Sequence, residues 1–424
     1  AAAARGAELL KLRDKDGMWN GKEGSVIETS RALIEMSRCD RTIKKSQKKA
    51  PPQVAPLPEY SAADAAKTQK ALVDGGRFLA SKAPDGRFGA PGRPDAGVTT
   101  VALGALLCVP EPRPPEVQKA IDSGLAWILT LQHPDGSIHD GKLANYCTSG
   151  AILALVRTKK PEHAPVIAKA QKYLQGLQAD EGEGFSEGDL YYGGMGYGGD
   201  AERSDLSNLQ MALEALAASG LQKGDPSYAK ALTFLQHCQN RSESNDIRIA
   251  EGKDGKAVIV SGNDGGAGYA PGDSKAGFID LGDGQKVPRS YGSMTYALLK
   301  SFLFAGLPKE DPRVKAAWEW CRKNYTLDIN PGFVTSEDPT AAYQGLFYYF
   351  HTMSRALDAL GEDVIVDDAG KSHAWRSELC GRLIAMQDRT DGSWLNKNSP
   401  RWYEGNPVVA TAYALLTLDA AKPR

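Results

Sequence analysis

A repeated unit constrains the fold of this chain more than any other feature of its sequence. Each unit is a helix-like segment, a short glycine-rich turn and a second helix-like segment rich in Ala, Leu and Thr. A unit of two helices buries only one face by itself, so neighbouring units must stack or close on one another. We call the turns, which recur roughly every 50–70 residues, the glycine turns. They are Asp16-Gly17-Met18-Trp19, Asp85-Gly86-Arg87-Phe88, Asp135-Gly136-Ser137-Ile138, Gly193-Gly194-Met195-Gly196-Tyr197, Gly265-Gly266-Ala267-Gly268-Tyr269, Pro331-Gly332-Phe333 and Asp391-Gly392-Ser393-Trp394.

The two helices of a unit distribute their apolar residues differently. In the last unit, Leu379 and Leu383 fall on one helical face, whereas residues 407–420 are apolar nearly all round. An amphipathic helix packs on one side, and an apolar helix is buried on both. The same alternation separates residues 117–131 from residues 146–156. The sequence therefore predicts an all-α fold, an α/α toroid (barrel) of six or seven helical hairpins with an outer and an inner ring of helices around a central cavity.

Composition excludes two classes of partner. The formal net charge of −1 is unsuited to a nucleic-acid-binding protein, which presents a basic face to phosphates. No apolar run approaches the roughly 20 residues of a membrane-spanning helix. The sequence does not begin with Met, which is consistent with processing or trimming. A soluble protein is expected, either cytoplasmic or exported after removal of a signal.

The cysteines predict neither a disulfide framework nor a metal site. The six cysteines are spread about one per unit, without a CxxC pair. Buried free thiols are expected, with no metal and no cofactor.

The predicted organisation is a first unit at residues 1–40, an exposed linker at residues 41–58, and toroid repeats at residues 59–424 that form a single domain with the first unit. The linker carries four lysines followed by four prolines; it is a solvated loop or a peripheral contact with anionic lipid. Two later stretches, about 240–288 and 334–340, interrupt the repeat as functional lids or as simple long loops.

The repeats resemble a known superfamily. Gln387 precedes the Asp391 turn and Gln132 precedes the Asp135 turn, each followed by an Ala/Leu-rich helix. This pattern resembles the QW-type repeats of the squalene-hopene cyclase and protein prenyltransferase β-subunit superfamily (prenyltransferase/squalene oxidase repeat proteins), and is most similar to its uncharacterised bacterial members. The resemblance spans nearly the whole chain, and it implies an α/α toroid whose centre accepts isoprenoid chains.

Neither catalytic signature of that superfamily is complete. Class II terpene cyclases carry Asp-x-Asp-Asp at the start of an inner helix, where the matching residues here are Asp205, Ser207 and Asn208. Asp205 is then either a catalytic acid or the N-cap of the following helix. Prenyltransferases hold zinc with Asp, Cys and His, and the matching positions here are Ser293, Thr295 and Ala410. Zinc-dependent prenyl transfer is therefore not expected.

Several aromatic side chains are candidates for lining the cavity and contacting a substrate. Aromatic faces can bind an isoprenoid and stabilise a carbocation, but large rings also simply fill a wide core. The candidates are Tyr146, Tyr291, Tyr296, Tyr348, Tyr349 and Trp402.

Two further residues are candidate catalytic groups. His351 lies on a mostly apolar helix, where it is either a hydrogen-bonded core residue or, if it faces the cavity, a general base. Glu404 precedes the last inner helix, and we expect it at the same rim as Asp205. Its carboxylate either stabilises a helix N-terminus or takes part in catalysis. The glycine clusters at 193–199 and 265–268 are interpreted as tight turns, because no strand pattern precedes them.

The leading functional hypothesis is an isoprenoid-handling protein of the terpene cyclase/prenyltransferase type that binds or transforms a polyprenyl or triterpenoid substrate. One alternative is a non-catalytic toroid that binds a lipid, a peptide or a protein partner. Another is an α/α-toroid enzyme acting on polysaccharides, which would need paired carboxylates such as Asp205 and Glu404. The sequence leaves open whether the protein is an enzyme.

Overall fold

The structure, a computed structural model, describes residues 60–90, 92–198, 204–251 and 257–422. The predicted first unit, the linker, Cys39 and the Asp16 glycine turn lie outside these residues. Within them, twelve α-helices form six hairpins, and one of the six other glycine turns lies in each hairpin. The hairpins are α1 (Ala62–Lys82) with α2 (Ala96–Leu106), α3 (Pro115–Thr130) with α4 (Ala144–Arg157), α5 (Ala164–Gln175) with α6 (Leu206–Ala218), α7 (Pro226–Cys238) with α8 (Gly292–Phe304), α9 (Pro312–Lys323) with α10 (Leu346–Leu360), and α11 (Trp375–Met386) with α12 (Pro407–Ala421).

The even-numbered helices form a closed inner ring. Each packs against the next even-numbered helix, and α12 packs against α2. The odd-numbered helices lie outside, and α1 contacts both α3 and α11. The all-α toroid predicted from the sequence is confirmed, and it closes with six hairpins in the part of the chain that the structure describes.

Burial separates the two rings as the apolar patterns predict. In the inner helix α12, 11 of 15 residues are buried. In the outer helix α5, 2 of 12 residues are buried, Ala170 and Leu174. A helix that is apolar all round requires packing on every side, which the inner ring supplies.

Glutamine side chains join neighbouring hairpins. In four hairpins, the amide of a glutamine after the outer helix donates to the carbonyl of a glycine in the glycine turn and to a carbonyl of the next outer helix. These acceptors are Gly136 and Val166 for Gln132, Gly193 and Ser227 for Gln178, Gly265 and Arg313 for Gln239, and Gly392 and Ala71 for Gln387. Ala71 belongs to α1, so the bond from Gln387 connects the last hairpin to the first and closes the outer ring.

The glycine turns press directly against the next outer helix. Gly193 has a φ of +80°, and a Cβ atom there would lie 1.8 Å from the carbonyl oxygen of Lys230 in α7. Gly136 has a φ of +96°, and a Cβ atom would lie 2.4 Å from the carbonyl oxygen of Lys169 in α5. Both the backbone conformation and the lack of space therefore require glycine at these two positions.

Short strands occupy some of the connections. β1 (Gly89–Ala90) and β2 (Arg93–Pro94) form one small hairpin, and β7 (Ile365–Val366) and β8 (Ser372–His373) form another. The stretch at 240–288, for which the sequence predicts no strands, carries β3 (Arg248–Glu251), β4 (Ala257–Val260), β5 (Phe278–Gly282) and β6 (Gln285–Pro288). These four strands form one sheet in the order β3-β4-β6-β5. Single 3₁₀ turns lie at Pro161–His163, Glu181–Glu183, Ala341–Tyr343 and Arg401–Tyr403.

The five cysteines in the described residues are buried and form no disulfide, as the sequence predicts for them; they are Cys108, Cys147, Cys238, Cys321 and Cys380. None of the described helices combines the length and the apolar character needed to cross a bilayer.

Candidate functional site

A cavity of about 240 Å³ lies at the centre of the inner ring. Five inner helices, α2, α4, α6, α10 and α12, supply its walls. The apolar lining residues include Val101, Leu153, Val156, Met211, Ala218 and Leu416. The polar lining residues include Thr100, Arg157, Gln210, Glu214, Tyr348, His351, Arg355 and Tyr413. Ala218, the last residue of α6, is exposed, so the cavity approaches solvent at the C-terminal ends of the inner helices.

Hydrogen bonds between tyrosines and their partners cross the barrel near the N-terminal ends of the inner helices. The Tyr348 hydroxyl on α10 lies 3.0 Å from Ser207 Oγ and accepts a bond from Gln210 Nε2 at 3.1 Å, both on α6. The hydroxyls of Tyr413 on α12 and Tyr146 on α4 lie 2.7 Å apart. Each of these contacts passes over one intervening inner helix. We call these five residues the tyrosine layer, and they bound one end of the cavity.

A buried ion-pair cluster crosses the barrel further along the same helices. Glu214 on α6 accepts from Lys300 Nζ at 2.5 Å and from Arg355 Nε at 2.8 Å. Lys300 lies on α8, where its side chain is 1% exposed. Burial by itself would raise the pKa of Glu214, but Arg355 and Lys300 hold that pKa well below its usual value. Glu214 is therefore ionised and works as a structural anion.

Arg157 extends this cluster to the mouth of the cavity. It is the last residue of α4, and its Nη1 donates to Asp419 Oδ2 on α12 at 2.8 Å. Lys422 also reaches Asp419, at 2.7 Å from Oδ1. We call Arg157, Glu214, Lys300, Arg355 and Asp419 the charge layer. It lies toward the C-terminal ends of the inner helices, on the side of the cavity that approaches solvent.

His351 lies between the two layers and lines the cavity. Its Nδ1 is buried and has no hydrogen-bond partner among the residues that the structure describes. Burial lowers the pKa of its imidazole to about 3. The Glu214 carboxylate opposes this shift, and the positive charges of Lys300, Arg355 and Arg157 add to it. The ring is therefore neutral at physiological pH. The structure places this predicted residue at the cavity, with one ring nitrogen free to meet a ligand.

Asp205 is the N-cap of α6. Its Oδ1 accepts from the backbone N–H of Asn208 at 2.9 Å, and its Oδ2 accepts from Asn208 Nδ2 at 2.8 Å. Burial raises the pKa of this carboxyl group. This geometry is that of a helix cap, which is one of the two interpretations of Asp205. The Asp205 side chain is not among those that line the cavity.

Glu404 also caps a helix, but one from another hairpin. The N-cap position of α10 is Gly345, which has no side chain, and Glu404 Oε1 instead accepts from the backbone N–H of Tyr348 at 2.8 Å. Its Oε2 accepts from Asn396 Nδ2 at 2.7 Å. Burial raises the pKa of Glu404 to about 7. Glu404 thus fixes the start of the helix that carries Tyr348, and it lies outside the cavity lining.

The aromatic candidates divide between the cavity and the packed core. Tyr348 lines the cavity, and Tyr146 reaches it through Tyr413. Tyr291, Tyr296 and Tyr349 are almost completely buried and do not line it. Trp402 is 38% exposed, and its ring packs against Gly345 at the start of α10. These four side chains therefore hold the helices rather than present faces to the cavity.

Sequence reasoning does not single out the charge layer. The available signal is a charge inside an otherwise apolar helix, as at Glu214 within Ala212–Leu216 and Lys300 within Ala297–Phe302. A charge at such a position must find a partner of opposite sign. The partners come from different hairpins, so the sequence pattern can indicate that pairs exist without indicating which residues form them.

No cluster of three or more His, Cys, Asp or Glu side chains that could hold a metal ion occurs in the described ranges. The positions that resemble the zinc ligands of prenyltransferases, Ser293, Thr295 and Ala410, are buried within inner helices. Thr295 Oγ1 accepts from the backbone N–H of Ala267 and so serves the glycine turn.

Comparison with solved structures finds similarity to type II terpene cyclases. A variant of the type II terpene cyclase MstE from Scytonema, in complex with its product merosterolic acid A, aligns with a TM-score of 0.48 and 16% identity over 85% of this chain and 98% of that chain. Another MstE variant, in complex with the substrate geranylgeranyl dihydroxybenzoate, aligns with a TM-score of 0.48 and 12% identity over 85% of this chain and 99% of that chain. A protein from Actinoplanes aligns with a TM-score of 0.45 and 15% identity over 84% of this chain and 99% of that chain.

No protein-family model matches the sequence, and no curated protein matches it. The structural similarities fall below a TM-score of 0.5 at 16% identity or less, so they carry no argument about family or function. The fold rests on the helices and contacts of this chain.

Proposed function

We propose that this protein binds an isoprenoid-type apolar chain in the cavity at the centre of its inner ring. The observation that carries this proposal is the cavity itself, which lies inside a closed ring of helices and has apolar walls from Val101, Leu153, Met211 and Leu416. Cavities of this kind, mostly apolar with a few polar groups, are the usual binding sites for small apolar ligands. The glutamine-and-glycine repeats, which resemble those of isoprenoid-binding toroids, support the same ligand class.

The volume favours a short chain. A cavity of about 240 Å³ has room for about eight water-sized groups at about 30 Å³ each. Because an isoprene unit has five carbons of about that size, the cavity matches a chain of about two isoprene units and is much smaller than a triterpenoid. We therefore place a short prenyl chain ahead of a triterpenoid as the ligand.

The arrangement supports binding better than acid-initiated cyclisation. Protonation of an alkene needs a protonated carboxylic acid that faces the substrate. Among the described lining residues Glu214 is the one carboxylate, and two cations keep it ionised. Asp205 and Glu404 use their carboxylates to cap helices. A sugar-cleaving site is not favoured either, because it needs two facing carboxylates.

A second function, a non-catalytic scaffold, is supported by the bonds that cross the barrel. The tyrosine layer and the charge layer fill part of the ring and tie opposite inner helices together. A toroid stabilised in this way could present its outer surface to a partner without using the cavity.

Native mass spectrometry with farnesol, geranylgeraniol and squalene tests the binding proposal. Gly104 lines the cavity, and a Cβ atom there would meet a single atom within 4 Å, Leu416 Cδ2 at 3.7 Å. Gly104→Leu therefore directs its side chain into the cavity without a backbone collision. The matched control is Gly381→Leu on the outer helix α11, where a Cβ atom would meet nothing within 4 Å.

Both substitutions remove a helix glycine and gain about 1 kcal/mol of helix propensity, so a difference between them reports on the cavity. We expect the native protein and Gly381→Leu to retain farnesol and Gly104→Leu to lose at least about tenfold in affinity. Equal binding by the two variants would place the ligand elsewhere. No binding of any of the three lipids would overturn the proposal and favour the scaffold.

A further inference from the structure

We propose that the charge layer binds the anionic end group of the ligand, a carboxylate or a phosphate, while the apolar part of the same molecule occupies the cavity. This inference rests on the proposed function, and it specifies the chemistry of the ligand's polar end. It is carried by the balance of charges, by the hydrogen-bonding capacity of two arginines, and by their place at the mouth of the cavity.

The charge layer holds more cations than anions. Arg157, Lys300 and Arg355 face two carboxylates, Glu214 and Asp419. Burial lowers the pKa of Lys300, but the attraction and hydrogen bond of the Glu214 carboxylate oppose that shift. Glu214 is shared by two cations, and Asp419 is shared by Arg157 at Oδ2 and Lys422 at Oδ1. His351 adds no charge, because it is neutral at physiological pH. One further anion would bring the charge layer to balance, and an anion in a partly buried site gains strong charge-assisted hydrogen bonds.

Both arginines have donors to offer. A guanidinium group carries five N–H donors in a planar fork. Arg355 directs its Nε and Nη2 at Glu214, and Arg157 directs its Nη1 at Asp419 and Cys108. The side chains of Arg157 and Arg355 are 30% and 26% exposed, in contrast to 1% for Lys300. Both also line the cavity. The arginines can therefore contact a ligand, whereas Lys300 is committed to Glu214.

Arg157 and Arg355 lie at the mouth of the cavity, where the polar end of a bound amphiphile would be. Arg157 ends α4, and Ala218, which is exposed, ends α6 on the same side of the barrel. The lining extends from there to Tyr348, the third residue of α10. Along α6 the lining runs from Gln210 to Ala218, a rise of eight residues or about 12 Å. A ligand that enters tail first thus leaves its head group at the arginines and its tail against the tyrosine layer.

Three ligands with the same chain but different end groups test the inference by isothermal titration calorimetry. Farnesol is neutral, farnesoic acid carries a carboxylate, and farnesyl monophosphate carries a phosphate. We expect at least one anion to bind the native protein about tenfold or more tightly than farnesol, and the preferred anion distinguishes a carboxylate from a phosphate. Arg355→Met and Arg157→Met should each reduce the anion-to-farnesol ratio of affinities toward one.

Arg382→Met is the matched control. Arg382 is 38% exposed on the outer helix α11, where it pairs with Asp328, and its replacement should leave the affinity ratio unchanged. Thermal unfolding confirms that each variant is folded. If farnesol binds and neither anion binds more tightly, the inference about the charge layer is wrong and the proposed function stands. If none of the three ligands binds, the proposed function fails, and this inference fails with it.

Discussion

Glu404 gives the sharpest quantitative prediction, because its carboxyl group is buried and titrates near neutral pH. Its ordinary pKa of 4.5 is raised to about 7 by burial in the folded state. This difference corresponds to about 3 kcal/mol of free energy of unfolding. Because the folded state holds the proton more tightly, that stability is fully present below pH 4.5. It is lost as the pH rises through 7, by about 1.4 kcal/mol for each pH unit in between.

Glu404→Gln should remove this pH dependence. The amide oxygen can still accept from the backbone N–H of Tyr348, but the amide nitrogen cannot accept from Asn396 Nδ2, whose bond would be lost at a cost of about 1 kcal/mol. We expect the variant and the native protein to be about equally stable at pH 5. At pH 8 the variant should be more stable by about 2 kcal/mol.

Urea denaturation of both proteins at pH 5, 6, 7 and 8 measures the difference directly, since other groups that titrate contribute equally to both. Glu187→Gln, which removes an exposed carboxylate, is the control and should show no such trend. A difference that stays constant from pH 5 to pH 8 would refute the reasoning. A variant less stable than the native protein at pH 8 would show that attraction to the helix N-terminus outweighs the cost of burying the charge.

Two further predictions concern the joints between hairpins, and thermal denaturation measures both. Gly136→Ala should lower the free energy of unfolding by about 2–4 kcal/mol, because it combines backbone strain with a collision against Lys169. Gly141 has a φ of +101° and open space around it, so Gly141→Ala should lower the free energy of unfolding by only about 1 kcal/mol. Equal losses would mean that the contact with the next helix is unimportant. Gln239→Met removes two hydrogen bonds and should lower the free energy of unfolding by about 2–3 kcal/mol. Gln222 is exposed, so Gln222→Met should leave the free energy of unfolding nearly unchanged. A loss within error of the Gln222 variant would exclude Gln239 as a joint.

The sequence predicts the ring well because its signals are local. A glycine with positive φ, a glutamine that precedes it and a buried helix that is apolar all round all lie within one hairpin. The exact glutamine is harder to assign. Gln236 and Gln239 both precede the Gly265 turn, and only the end of α7 at Cys238 decides that Gln239 donates to the turn. The strands at 240–288 escape prediction because they are short and lie among Gly, Asp and Ser residues, although Gly282-Asp283-Gly284 is a hairpin signal.

The candidate site is less predictable because its contacts join distant hairpins. His351 is predicted as a base only on the condition that it faces the cavity, and helical periodicity does not specify which part of an all-apolar helix points inward. Arg355 and Glu214 lie 141 positions apart, so no local pattern pairs them. Asp205 and Glu404 each cap an inner helix, but the hydrogen-bond partners that decide what each carboxylate does depend on the three-dimensional structure.

The bond from Gln387 to Ala71 has a consequence for how the protein acquires its structure. It joins residues 316 positions apart, and the inner ring likewise closes only when α12 meets α2. A growing chain therefore has no enclosed interior until the hairpin of α11 and α12 has been synthesised. Until then, the apolar faces of α2 and of the newest inner helix are open edges that can associate with other chains. Enclosure of the cavity is thus an all-or-none property of the closed ring, and aggregation competes with folding until α12 meets α2.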